Sequence, residues 1–156
     1  MAGESLGILE LGRAASGDRL KTRLARLQQQ LFEESVAAKV ADADLAVQGR
    51  ILSTRAANRD PKSGLLSEHD PLWWEAQLEV KAVLQGATVQ ATVPFWFPTG
   101  NDAMWVTAPR AVAGSEGTWL LHLYEVEGKG PVYAVLRAGD LLTAAEAKVA
   151  EKRVKP

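Results

Sequence analysis

The chain has no cysteine, which excludes disulfides, thiolate nucleophiles and cysteine-ligated zinc. No apolar run approaches the length of about 20 residues that a membrane-spanning helix needs. An excess of either charge is missing too: 18 Lys and Arg stand against 19 Asp and Glu, so no overall field draws the chain toward nucleic acid or an anionic membrane. Histidine occurs only at 69 and 122. No Gly-rich phosphate loop, nucleophile elbow or His-Glu-x-x-His helix is written in the sequence. The first ten residues carry neither a basic segment nor a continuous apolar one, so no signal peptide is read there. The expectation is a soluble chain with its compartment open, because removal of an export signal would leave the same start.

What is present is a 156-residue chain, 47% hydrophobic, enough for one core and an appendage. Residues 1 to 17 mix Gly, Ala and Ser with a few aliphatics and read as an irregular arm. From Asp18, an N-cap residue type, Leu20, Leu24, Leu27 and Leu31 recur four, three and four apart, followed by Phe32, Val36 and Val40. This spacing predicts an amphipathic helix over 18–42, ending where Asp42 and Asp44 interrupt the apolar series. Leu45, Val47 and Ile51 then alternate with polar or small residues and predict a first strand over 44–54, with Gly49 where a strand bends or another backbone comes close. Residues 54–70, rich in Asn, Asp, Pro, Ser and Gly, read as a long connection.

The clearest pattern runs from Trp73 to Phe97. Trp74, Ala76, Leu78 and Val80 alternate with Glu75, Gln77, Glu79 and Lys81, the period of a half-buried strand. Past Gln85-Gly86-Ala87 the alternation resumes, with Val89, Ala91, Val93, Phe95 and Phe97 on one face and Thr88, Gln90, Thr92 and Trp96 on the other. In this hairpin Trp73 and Trp96 point away from the core and near one another. Two alternatives follow: the N-terminal helix covers them, or they form a partner site, since Trp is enriched at interface hot spots.

Pro94 sits on the outward phase and marks an edge, a bulge or a strand end. Pro98 to Asp102 is a turn cluster, and Met104-Trp105-Val106 reads as a short strand or the inner side of a loop. Residues 118–126 predict a fourth strand, with Trp119, Leu121 and Leu123 on one face and Leu120, His122 and Tyr124 on the other. Glu127-Gly128-Lys129-Gly130 turns the chain into a fifth strand over 131–137. Thr143-Ala144-Ala145-Glu146 matches a capping box before a short C-terminal helix in 141–156. The fold class expected is mainly β within α+β: a five-stranded OB-like barrel over 43–140, a long N-terminal helix and a short C-terminal one.

The segments Ala43-Asp44-Leu45-Ala46-Val47-Gln48-Gly49-Arg50-Ile51 and Leu78 to Gly86, with Gly114 to Leu121, resemble the strands of bacterial netrin-like or tissue-inhibitor-of-metalloproteinase-like barrels, over roughly 42–137. The resemblance implies a variant of the oligonucleotide/oligosaccharide-binding barrel used as a binding scaffold, and it transfers no catalytic residue. The animal members' disulfide cysteines are all absent, which argues against inhibitor activity.

Candidate chemistry is sparse. Glu68-His69-Asp70 has the composition of a metal or general-base site, but adjacent side chains diverge and the bland reading is a solvated loop. Asn101 and Asp102 beside Trp105 are accounted for by turn chemistry without a ligand. Arg19, Lys21, Arg23 and Arg26, and Lys148, Lys152, Arg153 and Lys155, are basic clusters, yet the hairpin's outer face carries Glu75 and Glu79 and does not suit phosphate. The expectation is a non-enzymatic binding or assembly module with no cofactor and no metal. It contacts a protein partner or its own copy through Trp73, Trp96, Trp105, Leu24, Leu27 and Leu31. The alternative is a barrel that binds single-stranded nucleic acid or a saccharide on the same tryptophans.

Overall fold

The computed structural model describes residues 2–57, 71–100, 106–126 and 128–154, with side chains described from Gly17 to Arg153 within those ranges. The chain is α+β with strands predominating. It divides into two compact units, 1–36 and 37–156.

Helix α1 covers Ala2–Asp42 and so contains the whole of the first unit that is described. The helix therefore begins at Ala2, and the irregular arm with an N-cap at Asp18 is not what forms. Asp18 instead offers its backbone carbonyl to Thr22 Oγ1 at 2.9 Å, an interior i to i+4 contact. The physical reason is that a cap residue type is only a weak stop: an Asp inside a helix costs a fraction of a kcal/mol, which neighbours such as Leu and Ala outweigh. The C-terminal end falls at Asp42, as the interrupted apolar series requires.

In the second unit, strands β1 (Leu45–Ala56), β2 (Leu72–Gln85), β3 (Thr92–Thr99), β4 (Glu116–Val126) and β5 (Gly130–Ala134) are hydrogen-bonded in the order β1-β2-β3-β5-β4. β1 also pairs with β4, from Leu45 opposite Leu121 to Arg50 opposite Glu116, so the sheet returns on itself. All neighbours are antiparallel except β3 and β5, which meet in one parallel pair, Trp96 opposite Ala134. β1 pairs along both of its edges, and its register with β2 shifts three times, at Ala46/Val47, Gln48/Gly49 and Ile51/Ser53, each shift bending the strand. Gly49 permits the tightest of these approaches: a Cβ there would overlap the Glu79 carbonyl oxygen and lie 2.9 Å from its carbon. Gly86, at φ +79°, makes the turn after β2 in the left-handed region open to glycine.

The third strand starts at Thr92, four residues later than the alternation suggests, and Val89 is fully exposed. Period two persists through residues 87–91 although they are not part of a strand. The Thr88 hydroxyl there accepts a hydrogen bond from the Gln90 amide, a local turn that competes with pairing.

The main core holds Leu45, Val47, Ile51, Ala76, Leu78, Val93, Phe95, Phe97, Trp119 and Leu121, the inward phase of β1 to β4. Phe95 and Trp119 stack with centroids 4.9 Å apart. Leu123, expected with them, is exposed, whereas Leu120 and His122 on the opposite face of β4 are buried. A short 3₁₀ turn, Ala138–Asp140, is followed by helix α2 (Ala144–Val154), whose capping box forms as the sequence predicts. There the Thr143 amide donates to Glu146 Oε1 at 3.0 Å, and the Glu146 amide donates to Thr143 Oγ1 at 3.2 Å. Glu146 also accepts from Lys39 Nζ at 2.7 Å, tying α2 to the last turn of α1 within the second unit.

Candidate interaction surfaces

On α1 the leucines repeat every three or four residues and so fall on one face of the helix. Leu20, Leu24, Leu27 and Leu31 are exposed over 57%, 58%, 55% and 64% of their area, an uncommon amount for four aligned aliphatic side chains. Arg19, Lys21, Arg23 and Arg26 are exposed around the N-terminal half of this stripe. Beyond it, Gln29 donates to Glu33 and Gln30 to Glu34, both at 3.2 Å, which fixes the acidic end of the stripe along the helix surface.

On the sheet, parity assigns Trp73 and Trp96 to the face opposite the main core, and there they lie, in a separate cluster with Ala134. They are not an exposed patch. Trp73 is 5% and Trp96 2% exposed, because Ala57, Val126, Val132 and Leu136 pack around them. Facing outward from a sheet is thus not the same as facing water. The indoles sit 6.0 Å apart by ring centroid, and Trp73 meets the Tyr124 ring at 5.4 Å.

A carboxylate holds this cluster together. Arg55, Glu75 and Trp96 lie directly opposite one another on β1, β2 and β3. Glu75 Oε1 accepts from Arg55 Nε and Nη2, at 3.1 and 2.7 Å, and from Gln77 Nε2 at 3.1 Å. Its Oε2 accepts from Trp96 Nε1 at 3.0 Å. Lys129 Nζ stands 3.9 Å from the same oxygen and 4.9 Å above the Trp96 ring, adding a cation–π contact. With three donor atoms on Oε1 and one on Oε2, Glu75 fastens β1, β2 and β3 together.

Burial pushes the Glu75 carboxyl up, but the hydrogen bonds from Arg55 and Trp96 and the charges of Arg55 and Lys129 prevail and hold it below the ordinary glutamate value. A carboxyl depressed in the folded state stabilises the fold fully above its unfolded value and loses that contribution as pH falls through the folded one. Acid titration of stability by urea denaturation should therefore show a decline beginning below about pH 4.5. In Glu75→Gln the slope should be shallower over the same range. An unchanged slope would show that the network contributes nothing to acid sensitivity.

Across the same row, His122 Nε2 lies 3.2 Å from Asp140 Oδ1, both side chains buried. Asp140 Oδ2 accepts from the Leu136 and Arg137 amides at 2.8 and 3.0 Å, so the pair closes the 3₁₀ turn onto β4. His122 is thus a buried strand histidine paired with an aspartate. Asp140 carries no sequence signal that would have named it as the partner.

Trp105, with Asn101 and Asp102, and the Glu68-His69-Asp70 segment lie outside the described residues. Trp74, placed by parity on the core face, is 38% exposed, with Leu72 two residues earlier at 63%. Among the described residues no group of three or more His, Asp or Glu side chains is arranged to hold a metal ion, and no helix is long and apolar enough to cross a membrane. No family model matches the chain, and no curated protein or solved structure matches it at a significant level.

Proposed function

We propose that this chain is a non-enzymatic binding or assembly module, in which a small OB-like barrel carries a helix that contacts a protein partner or another copy of itself. The observation behind this reading is the four-leucine stripe of α1, each member more than half exposed. An amphipathic helix gains little from its apolar face until that face is covered, and leucines left in water add nothing to a barrel core. The OB-like description draws support from five strands that pair in the order β1-β2-β3-β5-β4 with β1 joined to β4, together with the Gly49-Arg50-Ile51 and Leu84-Gln85-Gly86 strand signatures that resemble netrin-like barrels. Trp73 and Trp96 support the module from within, as buried packing residues.

All five tryptophans lie in 73–119, so their fluorescence reports on the second unit alone, whereas the helix dominates the far-ultraviolet circular dichroism. In the full chain, Leu24→Gln together with Leu27→Gln should leave the tryptophan-detected urea midpoint unchanged and abolish the chain's association with itself or its partner. A fall in that midpoint would mean the leucines belong to the fold's own packing, and the reading would be wrong.

A further inference from the structure

We propose that the surface covering the α1 stripe is the same stripe of a second copy, lying antiparallel; this rests on the binding-module reading and names its partner. The spacing of Leu20, Leu24, Leu27 and Leu31 is four, three, four, and it is unchanged when read backwards. A second copy running the other way therefore presents an identical ladder, with Leu20 over Leu31 of the second copy and Leu24 over its Leu27. Each leucine gains a counterpart, and the two-fold axis falls between positions 25 and 26. This is the alternating three and four spacing that lets two helices interdigitate along a seam.

Charge decides the direction. Arg19, Lys21 and Arg23 follow Asp18 at one end of the stripe, Arg26 lies at its middle, and Glu33 and Glu34 occupy the other end. A parallel pair would set the four cations of each helix side by side, whereas the antiparallel pair moves Arg19, Lys21 and Arg23 opposite the partner's Gln-rich segment and leaves only Arg26 near its own counterpart, at the axis, with Asp18 opposite Glu33 on the outer surface. The immediate flanks agree: Arg23 faces Gln30 of the second copy and Lys21 faces its Gln28, with no like charges opposed at either position. The Gln29–Glu33 and Gln30–Glu34 hydrogen bonds hold the acidic end along the helix surface. The seam stops at Gly17 on one side and Glu34 on the other, so it extends only about 16 Å along the axis. Four layers make a reversible, concentration-dependent dimer.

The test is sedimentation equilibrium of the full chain from about 1 to 100 µM, with Leu24→Gln/Leu27→Gln as control. The expected result is a monomer–dimer equilibrium whose dissociation constant rises at least about 100-fold in the double variant. The chain lacks cysteine, so Glu33→Cys carries a single spin label. Antiparallel pairing separates the two labels by roughly 22 Å along the axis before any lateral offset, whereas parallel pairing brings them to about helix-packing distance. A dimer with the labels close together overturns the antiparallel arrangement and keeps self-assembly. A dimer that survives the double substitution overturns the stripe as its seam. A chain that stays monomeric throughout overturns pairing between copies. If that monomer binds vesicles of phosphatidylserine and phosphatidylcholine through the same leucines, the protein-binding reading falls with it.

Discussion

Gly49→Ala should be among the most damaging single-methyl changes at the described residues, costing more than about 4 kcal/mol, a large share of a typical domain's stability. The added Cβ would overlap the Glu79 carbonyl oxygen, lie 2.9 Å from the carbonyl carbon and come within 3.0 Å of Leu78 Cδ1. The obstruction is backbone, not the free end of a side chain, and Glu79 is held by β1 on one side and by β3 on the other. Retreat of either strand would pull at the Arg50–Glu79 and Thr92–Glu79 pairs and at the return of β1 to β4. Urea denaturation followed by tryptophan fluorescence checks this. A loss under about 1 kcal/mol would mean that β1 and β2 are not so close at this point.

Trp96→Ala should cost about 3 to 5 kcal/mol, the range for removing a buried indole. It would also strip one donor from Glu75 and leave Lys129 without its ring. Trp96→Phe separates the two contributions: it keeps most of the packing and loses the indole N–H to a charged acceptor, a bond in the range of about 1.5 to 3 kcal/mol. The expected order of denaturant midpoints is wild type, then Phe, then Ala. Were Trp96 a solvent-facing contact residue, both variants would sit at the wild-type midpoint and only binding would change.

These two residues also show how far the sequence can be read. Period-two alternation from Trp73 to Lys81 identifies β2 and its faces, because a strand repeats its environment every second residue regardless of what covers each face. The same counting puts Trp73 and Trp96 on the correct side of the sheet and leaves open whether they are covered, and by what. Covering them takes Val126, Val132, Ala134 and Leu136, residues 30 or more positions away from Trp96 whose proximity is a product of topology. Gly49 is legible because a residue without a side chain weakens a strand, and is kept inside an apolar alternation chiefly where the strand bends or a second backbone comes close. The partners of Glu75 are not: Arg55, Gln77 and Lys129 converge on it from two strands and a turn, and nothing local in the sequence distinguishes them from solvated charges. The start of α1 escapes for a different reason, since the glycines at 3, 7 and 12 weaken local propensity without forbidding a helix. The leucine stripe is visible from spacing, and the structure adds that its members are exposed.

Whether residues 20–31 of α1 are covered by a second copy of the chain decides whether the helix is a self-assembly element. Amide hydrogen exchange of the full chain, read by mass spectrometry over peptides spanning 17–36, tests this directly at high and low protein concentration. Coverage predicts exchange slowed about 10-fold or more at high concentration, with the protection lost on dilution and absent in Leu24→Gln/Leu27→Gln. Equal exchange at both concentrations and in both proteins would contradict it.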